Sequence, residues 1–88
     1  MLELVRTTSF KKDQKRYKNS KKVIEILNEV ILVLLNKQKL SLKFSNHELI
    51  GEYNGCFDCH ILPDLVLIYR LTETELILVR LGSHSELF

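Results

Sequence analysis

The chain has no tryptophan, one proline, one methionine, three glycines and two cysteines. Two cysteines cannot build the disulfide framework that holds small secreted domains together, and they suit a reducing compartment. With so little proline and glycine there is no linker or low-complexity segment. A composition 45% hydrophobic and 27% charged is that of a packed globule rather than a disordered chain. The longest purely apolar run, Val30 to Leu35, falls far short of the roughly 20 residues a membrane helix requires. The opening MLELVRTTSF also lacks the apolar stretch of an export signal. These absences point to a cytoplasmic protein without membrane association. Its 88 residues have room for one domain, residues 1–88, around one core. A chain this short buries only about 60–65% of its unfolded surface, which argues against a large internal substrate cavity.

Charge is present but unevenly spread. Residues 1–43 hold 11 Lys/Arg against 4 Asp/Glu (+7), and residues 44–88 hold 2 against 7 (−5), which gives the net +2. The basic surface is therefore amino-terminal and local, and a polyanion partner is one use for it.

Leu2 to Arg6 alternates as a short strand, and Thr7, Thr8 and Ser9 offer an N-cap for a helix from about Phe10 to Lys18. On that helix Lys11, Lys15, Lys18 and then Lys22 form one positive stripe. Asn19 or Ser20 restarts the chain. Val23, Leu27, Val30 and Leu34 then mark a longer amphipathic helix ending near Lys37, the member of a two-helix hairpin that covers the sheet. Four strands follow at Glu48–Tyr53, Cys56–Ile61, Leu65–Thr72 and Glu75–Leu81. Asn54-Gly55 between the first two is a hairpin signal, and the continuous LVLIY of the third predicts a central strand buried on both faces. The order predicts an α+β domain: a strand, a helical hairpin, then a mostly antiparallel sheet of about four strands.

Strand alternation puts Asp58 and His60 on one face, and Arg80, Gly82 and His84 share parity. If their strands are neighbours, a carboxylate, two imidazoles and a guanidinium converge. Cutting RNA through its 2′-hydroxyl needs a base, a cation for the charge developing on phosphorus and an acid for the leaving oxygen. Histidine transfers protons near neutral pH, and the fixed fork of arginine fits phosphate. No metal or other cofactor is called for.

These residues lie in a recurring combination: H-x-L-x-G at His47, H-x-x-P-D at His60 with an apolar strand behind it, and R-x-G-x-H at Arg80 followed by Phe88. With NHELIGEY, CFDCHILPDLVLIYRL and ILVRLGSHSELF, the chain resembles over essentially its whole length the YafQ-type branch of the RelE superfamily, toxins of bacterial type II toxin–antitoxin systems. The resemblance implies a ribosome-dependent endoribonuclease that cuts messenger RNA on the 70S ribosome and is neutralised by a cognate antitoxin. It implies functional roles for His47, His60, Asp64, Arg80, His84 and Phe88. Of these, His84 would transfer a proton and Arg80 carry transition-state charge. His60 and Asp64 would position the nucleotide or make the second transfer, while His47 and Phe88 would bind it. Lys11, Lys15 and Lys18 become candidate contacts to ribosomal RNA. Two positions depart from the branch: Leu65 stands where some members have Trp, and Asp58, a candidate base, where others have Glu.

Other readings use the same residues. Cys56-Phe57-Asp58-Cys59-His60 matches the C-x-x-C-H pattern of haem attachment, but no export signal accompanies it. A zinc site is disfavoured because cysteines three apart on a strand point to opposite faces. A non-catalytic alternative is a gyrase poison of the ParE type, or a module that only binds a partner, for which the polar set His60, Asp64, Arg80 and His84 would be superfluous.

Overall fold

A computed structural model describes residues 1–88. The chain runs β1 (Glu3–Arg6), α1 (Thr8–Lys15), α2 (Lys21–Leu35), a 3-10 turn (Leu42–Phe44), β2 (His47–Glu48) and a second 3-10 turn (Gly51–Tyr53), then β3 (Phe57–Leu62), β4 (Leu65–Leu71), β5 (Glu75–Gly82) and α3 (His84–Leu87). The predicted α+β order holds, with five strands in one sheet rather than about four, in the order β1-β5-β4-β3-β2. β1 supplies the fifth by pairing parallel to β5, while the other pairings are antiparallel. Leu65 to Tyr69 of β4 are all buried, the double burial predicted for LVLIY.

Two local expectations are corrected. Glu48–Tyr53 is not a strand: pairing stops after Glu48, and Gly51 (φ 77°) begins a 3-10 turn. Asn54-Gly55 consequently closes that turn, with Gly55 at φ 88°, rather than a two-residue hairpin. The first helix also ends three residues early, at Lys15; beyond it Tyr17 still packs against the core while Lys18 and Asn19 are exposed. Lys18 therefore lies in the connection, although it still lines one groove with Lys11 and Lys15.

Most of the core lies on the face covered by the helices, where Val23, Leu27, Val30 and Leu34 of α2 meet Cys59, Leu67, Leu76, Leu78 and Leu81. The second helix does not do this alone, as the hairpin reading had it, since α1 docks through fully buried Phe10. On the opposite face a smaller cluster gathers Cys56, Val66, Ile68 and Leu87, with Leu49, Tyr53 and Val79 against it.

A β-bulge in β5 decides which face of the sheet Arg80 occupies. Ile68 pairs with Arg80, but Tyr69 pairs with Leu78, which leaves Val79 as the extra residue. Leu76 and Leu78 point into the main core, and strict alternation would send Arg80 after them. The bulge shifts the phase, so Leu81 returns to the core and Arg80 turns to the other face. The edge of β5 beyond β1 is closed by α1. Thr7 donates its backbone N–H to Leu78 O (3.1 Å) and its hydroxyl to Val79 O (2.9 Å). Asp13 accepts the N–H of Leu81 (2.9 Å).

Candidate active site

Across the sheet, two rows of side chains face away from α2: His47, Asp58, Ile68 and Arg80, then His60, Val66 and Gly82. α3 folds over the end of the second row. It exists because Ser83 and Glu86 form a reciprocal capping box, with Ser83 Oγ accepting from Glu86 N and Glu86 Oε1 from Ser83 N. The S-x-x-E spacing of Ser83 and Glu86 is the sequence signature of such a cap. The α3 residue His84 is brought to His60, with ring centroids 5.1 Å apart and planes at 89°.

Asp64, in the tight turn between β3 and β4, reaches His84 twice. Its Oδ1 lies 2.8 Å from the ring Nδ1 and accepts the His84 backbone N–H at 3.2 Å. Hydrogen bonds from the ring and then the backbone hold the Asp64 carboxyl below the usual carboxylate value. An ionised carboxylate only accepts hydrogen bonds, so Nδ1 carries the proton and donates it. The opposite nitrogen, Nε2, has no hydrogen-bond partner within the chain. The ring plane is fixed as well as the tautomer, which is what proton transfer along one direction requires.

Arg80 is held by Asp13, which sequence reasoning did not single out. Asp13 Oδ2 accepts from Nε at 2.7 Å and Oδ1 from Nη2 at 3.2 Å. Burial disfavours charge on Asp13, but the hydrogen bonds of Arg80 and Leu81 and the charges of Arg80 and Arg16 outweigh it and lower its pKa. The clue in the sequence is an acid alone in the basic run FKKDQKRYK. Tyr53, also missed, packs edge-on to Phe88 with centroids 5.7 Å apart, and Phe88 lies 6.2 Å from His84. Tyr53, Phe88, His84 and His60 thus form a chain of rings with Phe88 largely exposed at 59%. Arg16 and Glu86 pair at 2.6 Å across the surface, tying the end of α1 to α3. Both are well exposed, so the pair adds little stability by itself.

Asp13→Ala should cost about 2–4 kcal/mol at neutral pH, since it leaves Leu81 N–H and the half-buried guanidinium without an acceptor. A carboxyl whose folded pKa is lowered contributes stability above its unfolded pKa, and that contribution is lost as pH falls through the folded value. Urea unfolding should therefore show a gap between wild type and variant that is full at neutral pH and closes in acid. A gap independent of pH would contradict this account of Asp13.

The predicted residues do not all meet. Asp58 is separated from Arg80 by β4, about 10 Å at two strand spacings, so the carboxylate that joins His84 is Asp64. Asp58 is buried, its Oδ1 lacks a hydrogen-bond partner, and exposed His47 lies with Nδ1 3.7 Å away. That separation is an ion-pair distance, too long for a hydrogen bond. Cys56 and Cys59 fall into opposite clusters, as the parity argument against zinc required. Burial, with the Asp58 charge, pushes the Cys59 thiol up to about 12, so it stays protonated and inert. No group of three or more His, Cys, Asp or Glu side chains is placed to hold a metal ion. No helix is long and apolar enough to cross a membrane.

Solved structures share this architecture. A copper-bound, single-substitution variant of a toxin from Helicobacter pylori is 45% identical with a TM-score of 0.92, the match covering 100% of both chains. The Escherichia coli DinJ–YafQ complex contains a chain 30% identical with a TM-score of 0.88, covering 100% of this chain and 99% of that one. The fold is therefore that of these small bacterial toxins. The family described as "Bacterial toxin of type II toxin-antitoxin system, YafQ" matches residues 2–88, and a curated relative, the mRNA interferase toxin YafQ of E. coli K12, is 36% identical over 75 residues, 85% of this chain and 78% of its own. The chain belongs to the YafQ family of type II toxins.

Proposed function

We propose that this chain is an mRNA interferase, an endoribonuclease that cuts messenger RNA on the 70S ribosome in the cytoplasm and is neutralised by a cognate antitoxin. The observation that carries the reading is the His84 ring, fixed through Nδ1 by Asp64 (2.8 Å) beside His60 and on the face to which the bulge turns Arg80. The name of the curated relative, and the partner in the DinJ–YafQ complex, support activity and antitoxin respectively.

In this reading Nε2 of His84 exchanges a proton with the reacting oxygens. Neutral, it takes the proton of the ribose 2′-hydroxyl; charged, it hands one to the leaving 5′-oxygen. His60 makes the complementary transfer, with Asp58 a second candidate one row further along the sheet. The 2′-oxygen attacks phosphorus, the bond to the 5′-oxygen breaks, and Arg80 meets the charge that builds on the phosphoryl oxygens. The 2′-hydroxyl nucleophile restricts the reaction to RNA. Every role has a side chain, so no metal or other cofactor is invoked. His47 contacts the backbone phosphate and Phe88 stacks on a base at the exposed end of the ring chain. Lys11, Lys15 and Lys18 rim a groove with Arg6 and contact ribosomal RNA, an attraction that weakens with salt.

Expressing the chain and mapping cuts in translated messages tests the reading: codon-phased cleavage is expected, and intact messages alongside stalled gyrase would overturn it. Asp64→Asn should slow cleavage on the order of 10- to 100-fold. The amide can present N–H to Nδ1 and so favour the wrong tautomer. Because Asp64 is largely exposed, at 73% for its side chain, the melting temperature should barely move. A wild-type cleavage rate would contradict the pairing.

A further inference from the structure

Asp13 is one of two buried carboxylates, with Asp58, and the only one with every oxygen engaged. Its partners are not scattered. They are the Nε and Nη2 donors of Arg80 and the N–H of the next residue in the chain, Leu81. All three lie immediately after the bulge that turns Arg80 out of the core, and Thr7 holds the bulge itself through Val79 O.

We propose that Asp13 is a positioning residue for RNA cleavage, clamping the side-on edge of the Arg80 guanidinium so that its end-on edge meets the scissile phosphate. This rests on the reading of Arg80 as the group that stabilises transition-state charge. A guanidinium has five N–H donors in a fixed plane. Asp13 takes one from Nε and one from Nη2, and of the remaining three the two on the end-on edge, one on Nη1 and one on Nη2, form the fork that binds phosphate in a bidentate manner. An arginine side chain loses rotamer freedom when it is ordered, and a clamp already in place removes that ordering cost from the reaction step. The carboxylate cannot act by adding attraction for RNA, because its charge opposes that of Arg80. Its effect therefore falls on the rate of the chemical step and not on binding.

The test is a double-mutant cycle on messenger cleavage with Asp13→Asn, Arg80→Ala and the double variant, measured well below the melting temperature of each. The amide keeps one acceptor for Leu81 N–H and loses the second oxygen of the clamp. Arg80→Ala should lower kcat by about 100- to 1,000-fold. Asp13→Asn should lower kcat on the order of 10- to 100-fold with KM changed by less than about threefold, and the double variant should be no slower than Arg80→Ala alone. Multiplying losses, or a wild-type kcat for Asp13→Asn beside an impaired Arg80→Ala, would overturn the clamp. An unimpaired Arg80→Ala would instead overturn the underlying role of Arg80. Should Asp13→Asn fail to fold, the wild-type protein decides by magnetic resonance. The Nε–H signal of Arg80 should exchange slowly with water and shift as Asp13 is protonated, and exchange at the rate of a free arginine would overturn the proposal.

Discussion

Replacing His84 by alanine should reduce messenger cleavage by about 100- to 10,000-fold, the span that one positioned proton-transfer group supplies, and abolish growth arrest on expression. Stability should change by no more than about 0.5 kcal/mol, as for other exposed positions. The His84 side chain is 47% exposed and supports no part of the core, while the Ser83–Glu86 box that forms α3 uses neither of its ring nitrogens. What disappears is the one imidazole whose orientation and tautomer are set by Asp64. Undiminished toxicity at equal expression would remove His84 from the reaction.

The opposite pattern is expected of Phe10→Ala. Phe10 is fully buried against the helix-covered face of the sheet, and its backbone N–H is capped by Thr7 Oγ1 at 3.0 Å. Truncating such a ring costs about 3–5 kcal/mol, a large part of the 5–15 kcal/mol available to a small domain. For a domain of this size the melting temperature should fall by at least about 12 °C. Well below the new transition the folded molecules should cleave at a rate within about tenfold of wild type, since no reacting group has been removed. A calorimetric scan with a shift of only a few degrees would mean that α1 is not anchored through this ring. Together the two variants separate loss of chemistry from loss of fold.

Local periodicity carried much of the architecture. The apolar spacing from Val23 to Leu34 identified α2, and LVLIY identified the buried central strand. Two features were not legible because they depend on long-range register. One is the parallel pairing of β1 with β5, since nothing in ELVR names its partner. The other is the bulge at Val79: counted from Leu76 and Leu78, Arg80 belongs to the core, and only the ladder with β4 shows the phase shift that places it outside. At the site, parity and side-chain chemistry gathered His60, Arg80 and His84, and the family resemblance carried by the H-x-x-P-D and R-x-G-x-H motifs added Asp64. Parity alone had favoured Asp58 as the converging carboxylate, yet the tight turn delivers Asp64 instead. Asp13 escaped notice because it sits on a helix read for its positive stripe of lysines. Its buried contacts come from the strand edge that the helix covers.

A translated message carrying a single 2′-O-methyl ribose at a mapped cleavage position should remain whole at that position when incubated with the purified toxin. The unmodified message should yield fragments ending in a 2′,3′-cyclic phosphate and beginning with a 5′-hydroxyl. Cleavage of the methylated position, or fragments beginning with a 5′-phosphate, would contradict a reaction driven through the 2′-hydroxyl by His84, His60 and Arg80.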